Sequence, residues 1–181
     1  QKEFCANVDA GQNGFEKSAD SLKRALQNAS DDFRNSMQLK QAELALAAAS
    51  IELDMIAYKK QVENLQNTLT AGNIGIAVDE SVKKIAADAL AEAAVKNCQD
   101  SISTLERVLR DTPSTGKWRM HSALASANIT LSRSFRAAGN ASLADNALKN
   151  AQTQLAEARN KSKWLAKASL DAIETQIRQA K

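Results

Sequence analysis

From Phe15 onward, apolar side chains recur three or four positions apart along most of the chain. One stripe runs through Phe15, Leu22, Leu26, Ala29, Phe33 and Met37, and the next through Leu44, Ala48, Ile51, Met55, Tyr58, Val62, Leu65 and Leu69. The second stripe alternates steps of four and three, the spacing of a coiled-coil seam. A third face passes through Val82, Ile85, Ala89, Val95, Cys98, Ile102, Leu105 and Leu109. A fourth takes Met120, Leu124, Ala127, Leu131 and Phe135, and the last takes Leu148, Ala151, Leu155, Ala158, Ser162, Leu165, Ile173 and Ile177.

Punctuation between these stripes sets the expected ends. Ser30 suits an N-cap, and Asp31 and Asp32 suit a first helical turn, where the backbone dipole favours acid. Gly72 and Gly75 close the second stripe, and Asp79 with Glu80 opens the third. Residues 111–116 hold the chain's one proline, Pro113, and read as a turn. Gly139 and Asn140 mark either a turn or a kink, because a lone glycine costs only about 1 kcal/mol inside a helix. The pattern predicts helices over about 15–29, 31–71, 79–111, 117–138 and 142–180, with an irregular segment up to Gly14. All five belong to a single domain spanning 1–181. The expected fold is all-α, an elongated antiparallel bundle of long coiled-coil-like helices about 50–80 Å long.

Composition agrees with this reading. The 181 residues are 44% hydrophobic but only 4% aromatic, with one proline and six glycines. A chain rich in alanine and poor in helix breakers packs long helices closely through small side chains. The net charge of +3 is modest, and the basic residues fall in short clusters without stacking aromatics, which argues against nucleic acid. No apolar run approaches the roughly 20 residues of a membrane span.

Reactive side chains are few. The single histidine, His121, stands near a helix start and reads as a surface or capping residue. No CxxC pair, histidine cluster or phosphate-binding glycine loop occurs, so no catalytic, metal or cofactor site is expected and the chain reads as no enzyme. Cys5 and Cys98 are compatible with one disulfide in an oxidising compartment or with two free thiols. An unbroken helix from Phe15 to Leu69 would be about 85 Å long and would hold the two cysteines tens of Å apart. A break near residues 28–32 folds the N-terminal segment back towards Ile51 and Cys98. Disulfide and break therefore stand together. Four Asn-x-Ser/Thr acceptors, at Asn28, Asn128, Asn140 and Asn160, favour an extracellular setting. Trp118, with Arg119 beside it, either plugs a bundle end or offers a partner contact. Trp164 reads as half-buried in mid-helix.

Residues 42–49 (AELALAAA), 85–94 (IAADALAEAA) and 143–158, with an early cysteine and glycan acceptors, give the chain a recognisable style. It resembles the glutamic-acid/alanine-rich coat proteins of insect-stage trypanosomes, which are similar in architecture to variant surface glycoproteins and the haptoglobin–haemoglobin receptor. The resemblance implies a glycosylphosphatidylinositol anchor beyond Lys181, placement on the outer face of the plasma membrane, and a host or vector protein or glycan as partner. It also implies a last helix leading towards the membrane, with Asn140 near the distal tip. The expected function is a non-enzymatic surface coat or attachment protein. The alternatives are a receptor-type ligand-binding bundle or a bacterial periplasmic or secreted helical adaptor or chaperone.

Overall fold

The structure is a computed structural model that describes residues 14, 15, 17, 18, 21, 31–72, 77–162 and 166–180. Six helices follow in order: α1 (Asp31–Ala71), α2 (Glu80–Lys83), α3 (Ala87–Asp111), α4 (Lys117–Ala137), α5 (Ala141–Ser162) and α6 (Lys167–Gln179). No strand occurs among the described residues, so the chain is all-helical. The expected helix over 15–29 lies largely outside the described residues, although Phe15, Lys17, Ser18 and Ser21 are helical. Cys5, the expected break before Asp31, and Trp164 also fall outside them.

Local chemistry accounts for most helix ends. The carboxylate of Asp79 accepts from the backbone N–H of Ser81 at 2.8 Å, capping α2 as its residue type predicts. Thr112 is extended (φ −77°, ψ 130°), the conformation that a following proline imposes, and α3 stops there. Gly139 adopts φ +76°, and the N–H of Asn140 reaches the carbonyl of Phe135 at 2.7 Å. That pair of features closes α4 with a left-handed C-terminal cap, so Gly139 is a turn and not a kink. A Cβ at Gly139 would meet nothing within 4 Å, which leaves backbone strain as the whole penalty. Gly139→Ala is therefore expected to lower stability by about 1 kcal/mol, read by chemical denaturation. An unchanged midpoint would mean that the turn is looser than this geometry.

Each long helix returns along the one before it. Between α1 and α3, Ser101 donates to the Ala42 carbonyl at 2.9 Å, and the Asn97 amide reaches Glu52. Cys98 lies 3.8 Å from Ser134 across α3 and α4. Arg136 pairs with Asp145 beside the α4–α5 turn, and His121 meets Gln154 at the far end of the same pair. Alanine makes these approaches close: Ala42, Ala49, Ala94, Ala127, Ala151 and Ala158 are all buried where helices meet. A serine hydroxyl reaches a neighbouring helix's carbonyl only where nothing larger than a methyl group intervenes.

Three expectations change. The helix expected over 79–111 is two helices, interrupted around Ile85. Lys59 of α1 donates to the Ile85 carbonyl at 2.8 Å, and the break lets Val78, Val82 and Ile85 cluster on Met55. The helix expected over 142–180 is also two. Arg159 on α5 bonds both Asp171 and Glu174 on α6, at 3.0 and 2.7 Å. Further along, Gln152 and Leu155 flank Ile177 and Arg178. So α6 turns back along α5 and buries Leu170, Ile173 and Ile177 against Leu148 and Leu155. Arg159, and then Arg178, hold the Glu174 carboxyl below its usual range by hydrogen bonding. A last helix running straight away from Asn140 does not exist, because α6 heads back towards the Asn140 end. Finally, the four-three seam on α1 is not the most buried face. Burial falls on Ala42, Ala49, Glu52, Met55 and Ile56, of which only Met55 belongs to the seam, whereas Leu65 is 60% exposed.

Candidate functional site

The displaced seam leaves its mark between α1 and α3. A groove of about 410 Å³ opens there, and Leu44 and Ala48 of the expected seam line it. Its width follows from composition. Ala42, Ala45 and Ala48 on α1 and Ala93 on α3 present methyl groups where longer side chains would fill the gap between helices. Phe15 reaches it from the N-terminal segment, and Leu90 adds apolar wall.

Polar groups sit among these apolar ones. Glu52 is only 6% exposed, and the Asn97 amide donates to both of its carboxylate oxygens, at 3.1 and 3.2 Å. Glu52 takes part in a further interaction as well. Asp100 is exposed at the rim, and Gln41 and Thr104 complete the polar lining. Neither lysine nor arginine lines the groove among the described residues. In the sequence Glu52 stands only as an acid at the end of the apolar run at residues 44–51. The available signal was its position four residues after Ala48, an acid on an otherwise apolar face.

The residues singled out from sequence lie elsewhere and apart. Cys98 is a free thiol, fully buried among Ala49, Ala94, Leu131 and Ala147. No disulfide occurs among the described residues, and Cys5 lies outside them, so the expected pairing is not seen. Burial pushes the Cys98 thiol up to about 12, against a smaller opposing effect of its hydrogen bond to Ser134; the Glu52 charge adds to the rise. A thiol so held is a poor nucleophile at neutral pH. His121 is 9% exposed and not a surface residue; its Nδ1 donates to Gln154 Oε1 at 2.7 Å. Trp118 packs on the core cluster of α4, α5 and α6, with the Arg119 guanidinium 5.4 Å from its ring centroid. The ring is partly buried at this end of the bundle, and Arg119 is exposed beside it.

The glycan acceptors separate by burial. Asn128 is 5% exposed and its amide donates to the Leu124 carbonyl, so the folded chain has no room for a glycan there. Asn140 and Asn160 are exposed, the first at the α4–α5 turn and the second in the last turn of α5. Asn28 falls outside the described residues. Among the described residues, no helix is long and apolar enough to cross a membrane and no cluster of three or more His, Cys, Asp or Glu side chains could hold a metal ion.

No known protein family, curated protein or solved structure matches the chain.

Proposed function

We propose that the chain is a non-enzymatic contact module displayed on the outer face of a membrane, an elongated antiparallel bundle of coiled-coil-like helices acting in a coat or in attachment. What carries the reading is the fate of the reactive side chains. Cys98 and His121 are committed to Ser134 and Gln154 inside the bundle, and the Arg159, Arg178, Asp171 and Glu174 charges neutralise one another. Catalysis requires such groups to converge on a substrate. The exposed Asn140 acceptor at a turn supports a glycosylated surface setting, and the resemblance to trypanosome coat proteins supports a lipid anchor and a host or vector partner.

The experiment uses cells that make the protein. Membrane-impermeant biotin on intact cells is expected to label exposed lysines such as Lys60 and Lys149, and glycosidase treatment of the native protein to remove a glycan from Asn140. Labelling that appears only after lysis, with Asn140 bare, would overturn the placement. A receptor-type role is the second reading, favoured by one observation, the groove between α1 and α3.

A further inference from the structure

The groove between α1 and α3 has its buried carboxylate already partnered, and its walls select no occupant. The cleft beside Arg159 and Glu174 is closed by its own ion pairs. The end of α1 differs, because composition, exposure and symmetry there point the same way.

Residues 64–78 hold no Lys, Arg, Asp or Glu, the longest such stretch in a chain that is 25% charged. The next longest, residues 120–132, lies in α4 and has no exposed residue, so burial accounts for it. Burial does not account for the first. Asn64, Leu65, Asn67, Thr68 and Thr70 are all exposed on the last turns of α1. Elsewhere an exposed helix face carries charge, as α3 does with Glu92, Lys96, Asp100 and Arg107. Val62, Leu65 and Leu69 keep the three-four spacing through this stretch, with Leu65 exposed and the other two half-buried. Tyr58 and Val62 already rest on the cluster of Val78, Val82 and Ile85.

We propose that this end of α1 docks a second copy of the chain, the two helices pairing antiparallel about a two-fold axis. The inference does not depend on where the protein is displayed. In such a contact one patch faces itself, so any charge near the axis meets its own like. A stretch without charge satisfies that condition, and interface cores are depleted of charge in general. The spacing also fits itself in reverse. Setting Val62 opposite Leu65 of the second copy puts Tyr58 opposite Leu69, because both pairs centre between residues 63 and 64. Beside the seam, Lys59 then faces Gln66 and Gln61 faces Thr68, so no like charges meet. The same register lays Lys59 along the carbonyl end of the other α1, whose last turn has no basic residue of its own.

A lipid surface fits less well, because Asn64, Asn67 and Thr68 interrupt the apolar face and no basic cluster flanks it. A charged partner would find nothing to pair with between residues 64 and 72. The self-contact is small. Tyr58, Val62, Leu65 and Leu69 from each copy bury less than the roughly 1,200 Å² of a stable dimer, so association is weak. The chain is monomeric at the micromolar concentrations of a thermal melt.

Sedimentation equilibrium of the full chain from about 10 μM to 1 mM tests this. The mass is expected to rise from monomer towards dimer, with a Kd of about 0.1–1 mM. Leu65→Lys sets like charges beside the axis and should weaken association about tenfold or more, with circular dichroism unchanged. In a Cys5→Ala background, Gln61→Cys chains are expected to form disulfides with Thr68→Cys chains several-fold faster than with their own kind. A monomer throughout the range would overturn the proposal, as would a dimer that Leu65→Lys leaves intact. Cross-links of like with like would overturn the antiparallel register. A monomer that co-sediments with phosphatidylcholine vesicles would assign the surface to lipid instead.

Discussion

Leu105→Ala is expected to lower the unfolding free energy by about 3–4 kcal/mol, among the larger losses a single truncation produces. Leu105 is 1% exposed at the point where α1, α3 and α4 meet, clustered with Ala42, Leu124 and Ala127. Two of those three buried neighbours are alanines, with the partly buried Leu39, Leu46, Ile102 and Leu109 packed around them. A methyl group fixed to a helix backbone cannot swing into a vacated space, so the cavity persists and its cost adds to the lost transfer energy. For a chain of this length, each kcal/mol shifts the melting temperature by about 2–4 °C. The contrast is Leu65→Ala. Leu65 belongs to the four-three stripe read from sequence, yet it is 60% exposed, and its truncation should cost within about 0.5 kcal/mol. Paired thermal melts decide between the two pictures. Should Leu65→Ala cost as much as Leu105→Ala, the stripe on α1 packs against something in solution and the burial pattern described above is incomplete.

That contrast shows where sequence reading worked and where it failed. Helix ends fixed by local chemistry were legible: Asp79 caps and Pro113 stops α3, whereas Gly139 marked an interruption without deciding between a turn and a kink. The stripes of α4 and α5 were legible too, because Leu124 and Leu131, and Leu148 and Leu155, recur seven residues apart and are buried, although α4 also buries Ala125 and Ile129 off its stripe. On α1 the apolar pattern is ambiguous. Residues 44–49 are leucine and alanine throughout, so several faces are equally apolar and the three-four pattern does not choose one. Both unforeseen breaks have tertiary causes. The interruption around Ile85 rests on Lys59, 26 residues away in the chain, and the return of α6 rests on Arg159 meeting Asp171 and Glu174. Residues 159–167 contain neither proline nor glycine, and nothing local announces a turn. The groove was invisible for a further reason. It is a deficit of side-chain volume between two helices, which no motif encodes, and its carboxylate looked like an ordinary interruption of an alanine run.

The thiol of Cys98 gives the other large effect, through pH. In the unfolded chain it titrates near 9.0, whereas burial in the native state raises it to about 12. Between those values the native state retains a proton that the unfolded state has lost. The associated stability is fully present below pH 9 and drains away as pH rises towards 12. Three units correspond to about 4 kcal/mol in total, at a slope of about 1.4 kcal/mol per pH unit. Lysines and the tyrosine also titrate in this range, so the measurement is a difference. Reduced wild type and Cys98→Ala are unfolded in urea at a series of pH values from 7 to 11. At neutral pH the variant should be the less stable by about 1 kcal/mol, because it loses a buried sulfur from a tight cluster. Above about pH 10 the order should reverse, since the alanine has no proton to lose. Crossing curves are therefore the expected result. A thiol buried among Ala49, Ala94, Leu131 and Ala147 favours its neutral form, which sets the direction of the effect. Repeating the series without reductant carries the argument to Cys5. A disulfide between Cys5 and Cys98 abolishes the titrating group, and the wild-type curve would then run parallel to that of the variant. Curves that cross with and without reductant would leave Cys98 a free thiol in solution, as it is in the structure.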